Sequence, residues 1–289
     1  MGEAVEIAGR RIGDDEPCYV VAEIGINHNG DLGLARKLVS SAVTAGCDAV
    51  KFQKRTVEVV YTAEELEKPR DNPFGPTNGD LKRGLEFSEA DFAAIDEYCK
   101  LLNTPWFVSC WDEGSVDFAE QFDPPCYKIA SASITDDALL RHHRATGRPI
   151  IISTGMSTLE EIDHAVEVLG TDDLIVLHAT STYPSPPQEL NLSAIPALRE
   201  RYGVPVGYSG HEVGLATTVA ARALGACMIE RHITLDRAMW GSDQAASIEP
   251  FGFQRLVKDV RAVESALGDG VKVVYDSEVP IREKLRRVG

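Results

Sequence analysis

Two stretches, Gly207-Tyr-Ser-Gly-His-Glu-Val-Gly214 and, one helical stretch later, Glu230-Arg-His232, decide how this chain is read. The first follows a short apolar run, 204–208, and ends in a serine and a histidine inside a glycine-flanked turn. The second follows an apolar run, 226–229, and ends in a glutamate and a histidine. Strand, helix and strand in that order form a crossover unit. Two such strands that deliver histidines to one edge predict a polar site at the mouth of a barrel.

Working outward, the same rhythm fills the chain. Apolar runs at 19–24, 49–52, 106–109, 126–130, 149–153 and 174–178 precede the two already quoted. Between them lie helical patterns, such as apolar residues at 32, 35, 38, 39, 42 and 43 stopped by Gly46. Ser88 reads as a helix N-cap, and Ser157-Thr-Leu-Glu160 as a capping box. Residues 4–12 read as a small hairpin around Ala8-Gly9. Eight strands alternating with helices predict a single (β/α)8 TIM barrel over 1–289, with the hairpin within 1–16. The alternative, a doubly wound sheet, lacks a G-x-G-x-x-G after the first strand. Residues 56–87 break the rhythm with Pro69, Pro73, Gly75, Pro76 and Gly79 and read as a long loop, a lid or disordered. The tail, 270–289, is polar after Val274 and is expected to pack on the outside.

Composition narrows the function. No apolar run approaches the ~20 residues that span a bilayer, and the net charge of −16 argues against nucleic acid and anionic membranes. Six cysteines without a C-x-x-C pair, and a start lacking a basic, apolar leader, predict a reduced cytoplasmic protein.

Barrel chemistry sits at the C-terminal strand ends. Those ends carry Glu23, Lys51, Gln53, Ser109, Lys128, Ser131, Ser153, His178, Ser209, His211, Glu230 and His232. Lys51 and Gln53 are two apart, as are Glu230 and His232, so each pair shares a strand face. Two lysines among hydroxyls (Ser109, Ser131, Ser153, Ser209) suit a phosphate, with Arg55 and Arg231 able to add positive potential. His211 and His232 with a carboxylate suit Mn²⁺, Fe²⁺, Co²⁺ or Zn²⁺ over Ca²⁺. His28 reads either as a pocket residue or as a turn residue. His142, His143 and His164 fall on helices and receive no role.

The motifs Ala22-Glu-Ile-Gly-Ile-Asn-His-Asn-Gly30, Val50-Lys-Phe-Gln53, Tyr127-Lys-Ile-Ala-Ser131, Ile152-Ser-Thr-Gly-Met156, His178-Ala-Thr-Ser-Thr-Tyr-Pro184, Gly207-Tyr-Ser-Gly-His211 and Ile229-Glu-Arg-His232 occur in order along nearly the whole chain. Together they resemble the sialic acid (N-acetylneuraminate) synthase family. The resemblance implies condensation of phosphoenolpyruvate with an aldehydo-sugar, N-acetylmannosamine or a related hexose, to a 3-deoxy nonulosonic acid and phosphate. It implies a divalent metal, Mn²⁺ first with Mg²⁺ or Co²⁺ as substitutes, held by His211 and His232. It places Lys51, Ser109, Lys128, Ser131, Ser153 and Ser209 around phosphoenolpyruvate, and Gln53, Tyr183 and Asp243 around the sugar. Glu23, Asp243 and Lys51 become the catalytic candidates, and a homodimer is implied.

Two departures from the family pattern stand out. Ser133 occupies the position where the family commonly has a glutamate, with Glu212, Asp136 and Asp137 as nearby substitutes. The sequence also stops before the C-terminal antifreeze-like domain that many members carry. Two other readings follow from these residues: a barrel that binds phosphoenolpyruvate and sugar without turnover, and a keto-acid aldolase or lyase using a Schiff-base lysine.

Overall fold

A computed structural model describes residues 2–288. The strands, in chain order, are β1 (Val5–Ile7), β2 (Arg10–Ile12), β3 (Tyr19–Gly25), β4 (Ala49–Lys54), β5 (Pro69–Asn72), β6 (Gly75–Thr77), β7 (Trp106–Cys110), β8 (Tyr127–Ile129), β9 (Ile150–Ser153), β10 (Leu174–Ala179), β11 (Val206–Gly210) and β12 (Met228–His232). Eight of them, β3, β4 and β7 to β12, close a parallel barrel in sequence order, with β12 pairing back onto β3. The expected (β/α)8 barrel is therefore present, and so is the antiparallel β1–β2 hairpin.

Each strand alternates between two destinations. The outward side chains join the helices in two large apolar clusters, containing for example Val20, Val50, Leu38, Phe253 and Leu256 on one side and Ile150, Ile152, Val176 and Leu198 on the other. Burying each such side chain is worth roughly 1.5–3 kcal/mol. The inward side chains Tyr19, Val21, Ala49, Phe107, Cys126, Ile151, Ile175, Leu177 and Met228 form the barrel's own core, and Val5, Ile7 and Ile12 of the hairpin pack onto it. The hairpin thus plugs the N-terminal end. One step of two residues beyond that apolar layer, the same faces become polar: Glu23, Lys51, Ser109, Lys128, Ser153 and Glu230. The core stops where the site begins because a lysine, glutamate or serine follows at the next inward position.

The helices carry their own stop signals. Helix Leu32–Ala45 starts at Asp31, whose side chain accepts from Leu34 N, buries Ala35, Leu38, Val39 and Ala42, and ends at Gly46 in the left-handed region. The capping box expected at Ser157 and Glu160 lies one residue later, between Thr158 and Glu161.

Two expectations need correction. Residues 56–87 are not a structureless loop. They fold into short helices Val57–Val60, Ala63–Glu67 and Asn78–Leu85 with the antiparallel β5–β6 hairpin. Thr62 caps one helix, Thr77 and Asp80 form a capping box on another, and Leu66, Leu81 and Leu85 are buried beneath them. The tail does not pack on the barrel. It forms helix Val279–Leu285, and every described residue from 268 onward is exposed.

Gly207, in the stretch quoted first, points into the barrel where a Cβ would lie 2.5 Å from Met228 O and 2.6 Å from Leu177 Cδ2. Backbone on one side and core on the other leave no room for it. Gly207→Ala is expected to destabilise the fold by about 1–3 kcal/mol through overpacking. A lower urea midpoint at unchanged slope is the checking measurement; an unchanged midpoint contradicts the packing.

Candidate active site

At the C-terminal end of the barrel a cavity of about 220 Å³ is lined by Glu23, Lys51, Gln53, Ser109, Lys128, Ser131, Ser153, Tyr183, Ser209, His211, Glu230 and His232, with Trp111, Ala130, Ala132, Met156 and Ser181. All the expected phosphoenolpyruvate, sugar and metal residues meet there except Asp243. That carboxylate is adjacent: its Oδ2 lies 3.7 Å from His232 Nδ1.

Lys51 Nζ is 3.0 Å from Glu23 Oε2, 3.4 Å from Glu230 Oε1 and donates to Ser109 Oγ at 3.2 Å. Lys128 Nζ donates to Ser153 Oγ at 2.6 Å and to Ile129 O at 3.2 Å, with no carboxylate in contact among the described residues. Ser209 Oγ donates to Glu230 Oε1 at 3.3 Å, and Gln53 Nε2 to Glu23 Oε1 at 2.8 Å. Gly155 N donates to Ser131 Oγ at 2.9 Å, and a Cβ on Gly155 would lie 2.1 Å from Ser181 Oγ, so the Ser131 and Ser181 hydroxyls can crowd in only over a glycine.

These groups are buried, and burial sets their ionisation. It pushes Glu23 up to about 7, against the pull of Lys51. Burial also raises Glu230, but Lys51, Lys128 and the two histidines outweigh it and bring that carboxyl down to about 2. For Lys51 desolvation opposes the charge, yet Glu23 and Glu230 win and the ammonium sits above its ordinary range. Lys128 lacks such partners, and burial lowers it to about 8. Like carboxylates sharing one lysine titrate as a pair, with Glu230 ionised and Glu23 holding the last proton. Near neutral pH the site therefore carries two ammonium groups against one ionised and one partly protonated carboxyl. In a chain of net charge −16 this cavity is a local anion trap.

The histidines fit a metal. Their rings lie 5.4 Å apart, from adjacent strands. His211 Nδ1 is engaged by Thr180 O at 2.7 Å, which leaves Nε2 as the free ring nitrogen. His232 Nδ1 is buried without a hydrogen-bond partner among the described residues. Burial lowers both, His211 to about 4, so both rings are neutral, the form that ligates. Among the described residues no three His, Cys, Asp or Glu side chains converge on one point. The donor set is thus two imidazoles with Asp243 or Glu23 nearby, an arrangement that leaves positions for water and substrate oxygen. Tyr183 lies over this pair, its ring 4.2 Å from His211 and 5.9 Å from His232.

Several strand-end residues point elsewhere. His178 faces the helices, bonded through Nε2 to Leu190 O, because β10 runs on to Ala179 and the inward positions are Leu177 and Ala179. Arg231 also faces outward, in a buried ion pair with Glu212 at 3.1 Å, so neither adds to the pocket. Asp136 caps helix Asp137–Ala145, and Asp137 pairs with Arg141 and His164. None of the substitutes proposed for the family glutamate at Ser133 enters the site; its acids are Glu23 and Glu230. Arg55 is occupied by Glu86, Tyr61 and Gln53. His28 is a turn residue stacked 3.9 Å from Phe87. Ser181, Met156 and Trp111 were not foreseen as lining. Ser181 had a signal, lying two positions beyond inward-facing Ala179.

Fold and pocket define a TIM-barrel enzyme built around an anionic substrate. Residues 38–272 match the NeuB family, and the chain belongs to that family. It is 38% identical over 288 residues' worth of alignment length to an uncharacterised protein of Methanocaldococcus jannaschii, covering 99% of this chain and 82% of that one. It is 37% identical to the human N-acetylneuraminate-9-phosphate synthase, covering 96% of this chain and 79% of that one. A crystal structure of the N-acetylneuraminic acid synthetase from Leptospira borgpetersenii in complex with citrate superposes with a TM-score of 0.87 at 30% identity, covering 100% of this chain and 99% of that one.

Proposed function

We propose that this protein condenses phosphoenolpyruvate with an aldehydo-sugar, a 2-acetamido hexose or related hexose, with a divalent metal, Mn²⁺ first, held by His211 and His232. The reaction class, carbon–carbon bond formation from phosphoenolpyruvate to give a nonulosonic acid, comes with membership of the family. The acceptor, the metal and the residue roles are the proposed part. One observation carries it: two buried ammonium groups and five serine hydroxyls face the same cavity as two neutral imidazoles.

Lys51 and Lys128 hold the phosphate and carboxylate of phosphoenolpyruvate as point charges, and Ser109, Ser131, Ser153 and Ser209 orient its oxygens. Carbon 3 forms a bond to the aldehyde carbon, and the aldehyde oxygen takes a proton to become a hydroxyl. Water oxygen adds to carbon 2 and gives up one proton; the hydroxyl so formed passes its second proton to the departing phosphate as the bond from carbon 2 to the phosphate oxygen breaks and the carbon 2 ketone forms. Glu23 is poised near neutrality, so it can deliver one proton and accept the other. A bound divalent ion supplies Lewis-acid polarisation of the aldehyde oxygen. Gln53, Tyr183 and Asp243 lie where the sugar enters.

The test is phosphate release from phosphoenolpyruvate with Mn²⁺, with N-acetylmannosamine and mannose in parallel and a chelator control. Sugar-dependent, chelator-sensitive release supports the reading; release indifferent to chelator removes the metal from it. His232→Gln is expected to weaken Mn²⁺ binding at least about tenfold, read directly by the electron paramagnetic resonance signal of free Mn²⁺. Unchanged Mn²⁺ affinity excludes His232 as a ligand.

A further inference from the structure

His211 and His232 stand one residue beyond the last paired positions of β11 and β12, where Gly210 lies opposite Arg231. His232 is still held by its strand, since its position pairs with Glu23 of β3. His211 has already entered a loop. On the β10 side that loop is tied by Ser185 N, which donates to His211 O at 3.0 Å, and by Thr180 O at the ring's Nδ1. On the β12 side the pairing goes no further among the described residues, and a side chain takes over.

That side chain is Arg231. It lies between Glu230 and His232 and therefore points to the other face of β12, behind the barrel wall. Its Nη1 donates to Glu212 Oε1 and to Gly214 O, each at 3.1 Å, and its Nη2 donates to Glu212 O. One guanidinium thus grips the loop directly after His211 by two carbonyls and a carboxylate. The carboxylate is held in turn by Tyr208 OH and Thr217 Oγ1, each donating at 2.9 Å. Thr218 Oγ1 bonds both partners, accepting from Arg231 Nη1 and donating to Glu212 Oε1 at 2.6 Å. Neither member of the ion pair exposes any side-chain surface. Only a glycine fits beneath them, because a Cβ on Gly210 would lie 2.5 Å from Glu212 Oε2 and 3.0 Å from Arg231 Cδ. A buried pair of this kind adds little net stability, since desolvation offsets attraction. What it adds is direction: a planar fork is satisfied by one spacing of the groups it joins.

We infer that Arg231 and Glu212 are positioning residues, whose ion pair behind the wall fixes the spacing of the His211 and His232 rings and with it the site's affinity for a divalent cation. The inference rests on the metal reading above and goes beyond it, because neither residue touches the cavity. Groups behind a ligating histidine change metal affinity by about 10–100-fold when lost.

Arg231→Lys keeps a charge beside Glu212 but cannot reach the carboxylate and both carbonyls together. It is expected to weaken Mn²⁺ binding about tenfold, read by the electron paramagnetic resonance signal of free Mn²⁺. Calorimetric titration of phosphoenolpyruvate in the presence of chelator should not change, since Lys51 and Lys128 are untouched. Arg222→Lys is the control for losing a buried guanidinium: Arg222 bonds Ala226 O and Glu16 O at the hairpin end of the barrel. It should lower the melting temperature and leave Mn²⁺ affinity alone. Thr218→Val, similar in shape, removes the hydroxyl shared by the pair and is expected to cost about threefold in Mn²⁺ affinity. It decides the matter if Arg231→Lys does not fold. Unchanged Mn²⁺ affinity in folded Arg231→Lys, or in Thr218→Val standing in for it, overturns the inference. So does an equal loss of Mn²⁺ and phosphoenolpyruvate binding, or an equal loss of Mn²⁺ in Arg222→Lys, either of which makes affinity a passive reflection of stability. Wild-type protein that binds no Mn²⁺ overturns the metal reading itself, and the inference with it.

Discussion

Lys128→Met is expected to lower kcat/KM for phosphoenolpyruvate by about a thousandfold, the scale of losing a preorganised charged donor in a buried site. Lys128 is the less compensated of the two lysines. Lys51 is flanked by Glu23 and Glu230, whereas Lys128 has Ser153 Oγ and Ile129 O. Its desolvation cost is recovered when an anionic substrate arrives, so its removal strikes binding and not only chemistry. Methionine keeps much of the side-chain length, which separates charge from packing. The pH dependence has a definite sign. Burial lowers the ammonium to about 8, so the contribution of Lys128 to kcat/KM should hold below that pH and be lost about tenfold per unit above it as the cation is lost. For the substrate-free fold the effect is opposite. Between about 8 and the ordinary 10.5 the unfolded lysine binds more protons than the folded one, so this group's penalty on stability is full below 8 and relieved as pH rises. Lys128→Met should therefore melt higher than the wild type at neutral pH while failing to bind phosphoenolpyruvate. Phosphate release and thermal melts over pH 6–10 read both; wild-type turnover in the variant would remove Lys128 from the anion site.

Why so much of this site was legible lies in the period of a strand. Ala49 and Lys51, Phe107 and Ser109, Ile151 and Ser153, and Met228 and Glu230 are pairs two apart, the first in the apolar layer and the second in the cavity. A switch from apolar to polar along one face is visible without coordinates. What was not legible needs partners distant in sequence. His178 looked like a site residue only because its strand was ended one residue early, which hides that Ala179 takes the inward position. Arg231 follows Glu230 and so must face the helices, but only the fold reveals Glu212 waiting there as its partner. In 56–87 the prolines and glycines outweighed two readable helix starts, Thr62 to Glu65 and Thr77 to Asp80. The tail's failure to pack has no local signal, since Val271, Tyr275 and Ile281 are as apolar as residues that do pack.

Glu23→Gln is the variant that separates binding from proton transfer. Loss of a positioned acid–base group costs about 10²–10⁴ in rate, and kcat should fall on that scale. Binding should move the other way. Glu23 Oε2 lies 3.0 Å from Lys51 Nζ and competes with the substrate for that cation. Glutamine keeps the shape and the bond to Gln53 can be remade by an amide, but the competing charge is gone. The Kd for phosphoenolpyruvate should therefore stay level or tighten while turnover collapses, the reverse of Lys128→Met. Ser133 strengthens the case, because it supplies only a hydroxyl, and Asp136 and Asp137 are held in the helix that follows. With Glu230 bound to Lys51 and Ser209 as a fixed counter-charge, Glu23 is the cavity's one carboxyl near its own titration point. Calorimetric titration of phosphoenolpyruvate and single-turnover phosphate release measure the two halves separately. A variant that retains wild-type kcat would move the proton-transfer role to Asp243, the remaining carboxylate beside His232.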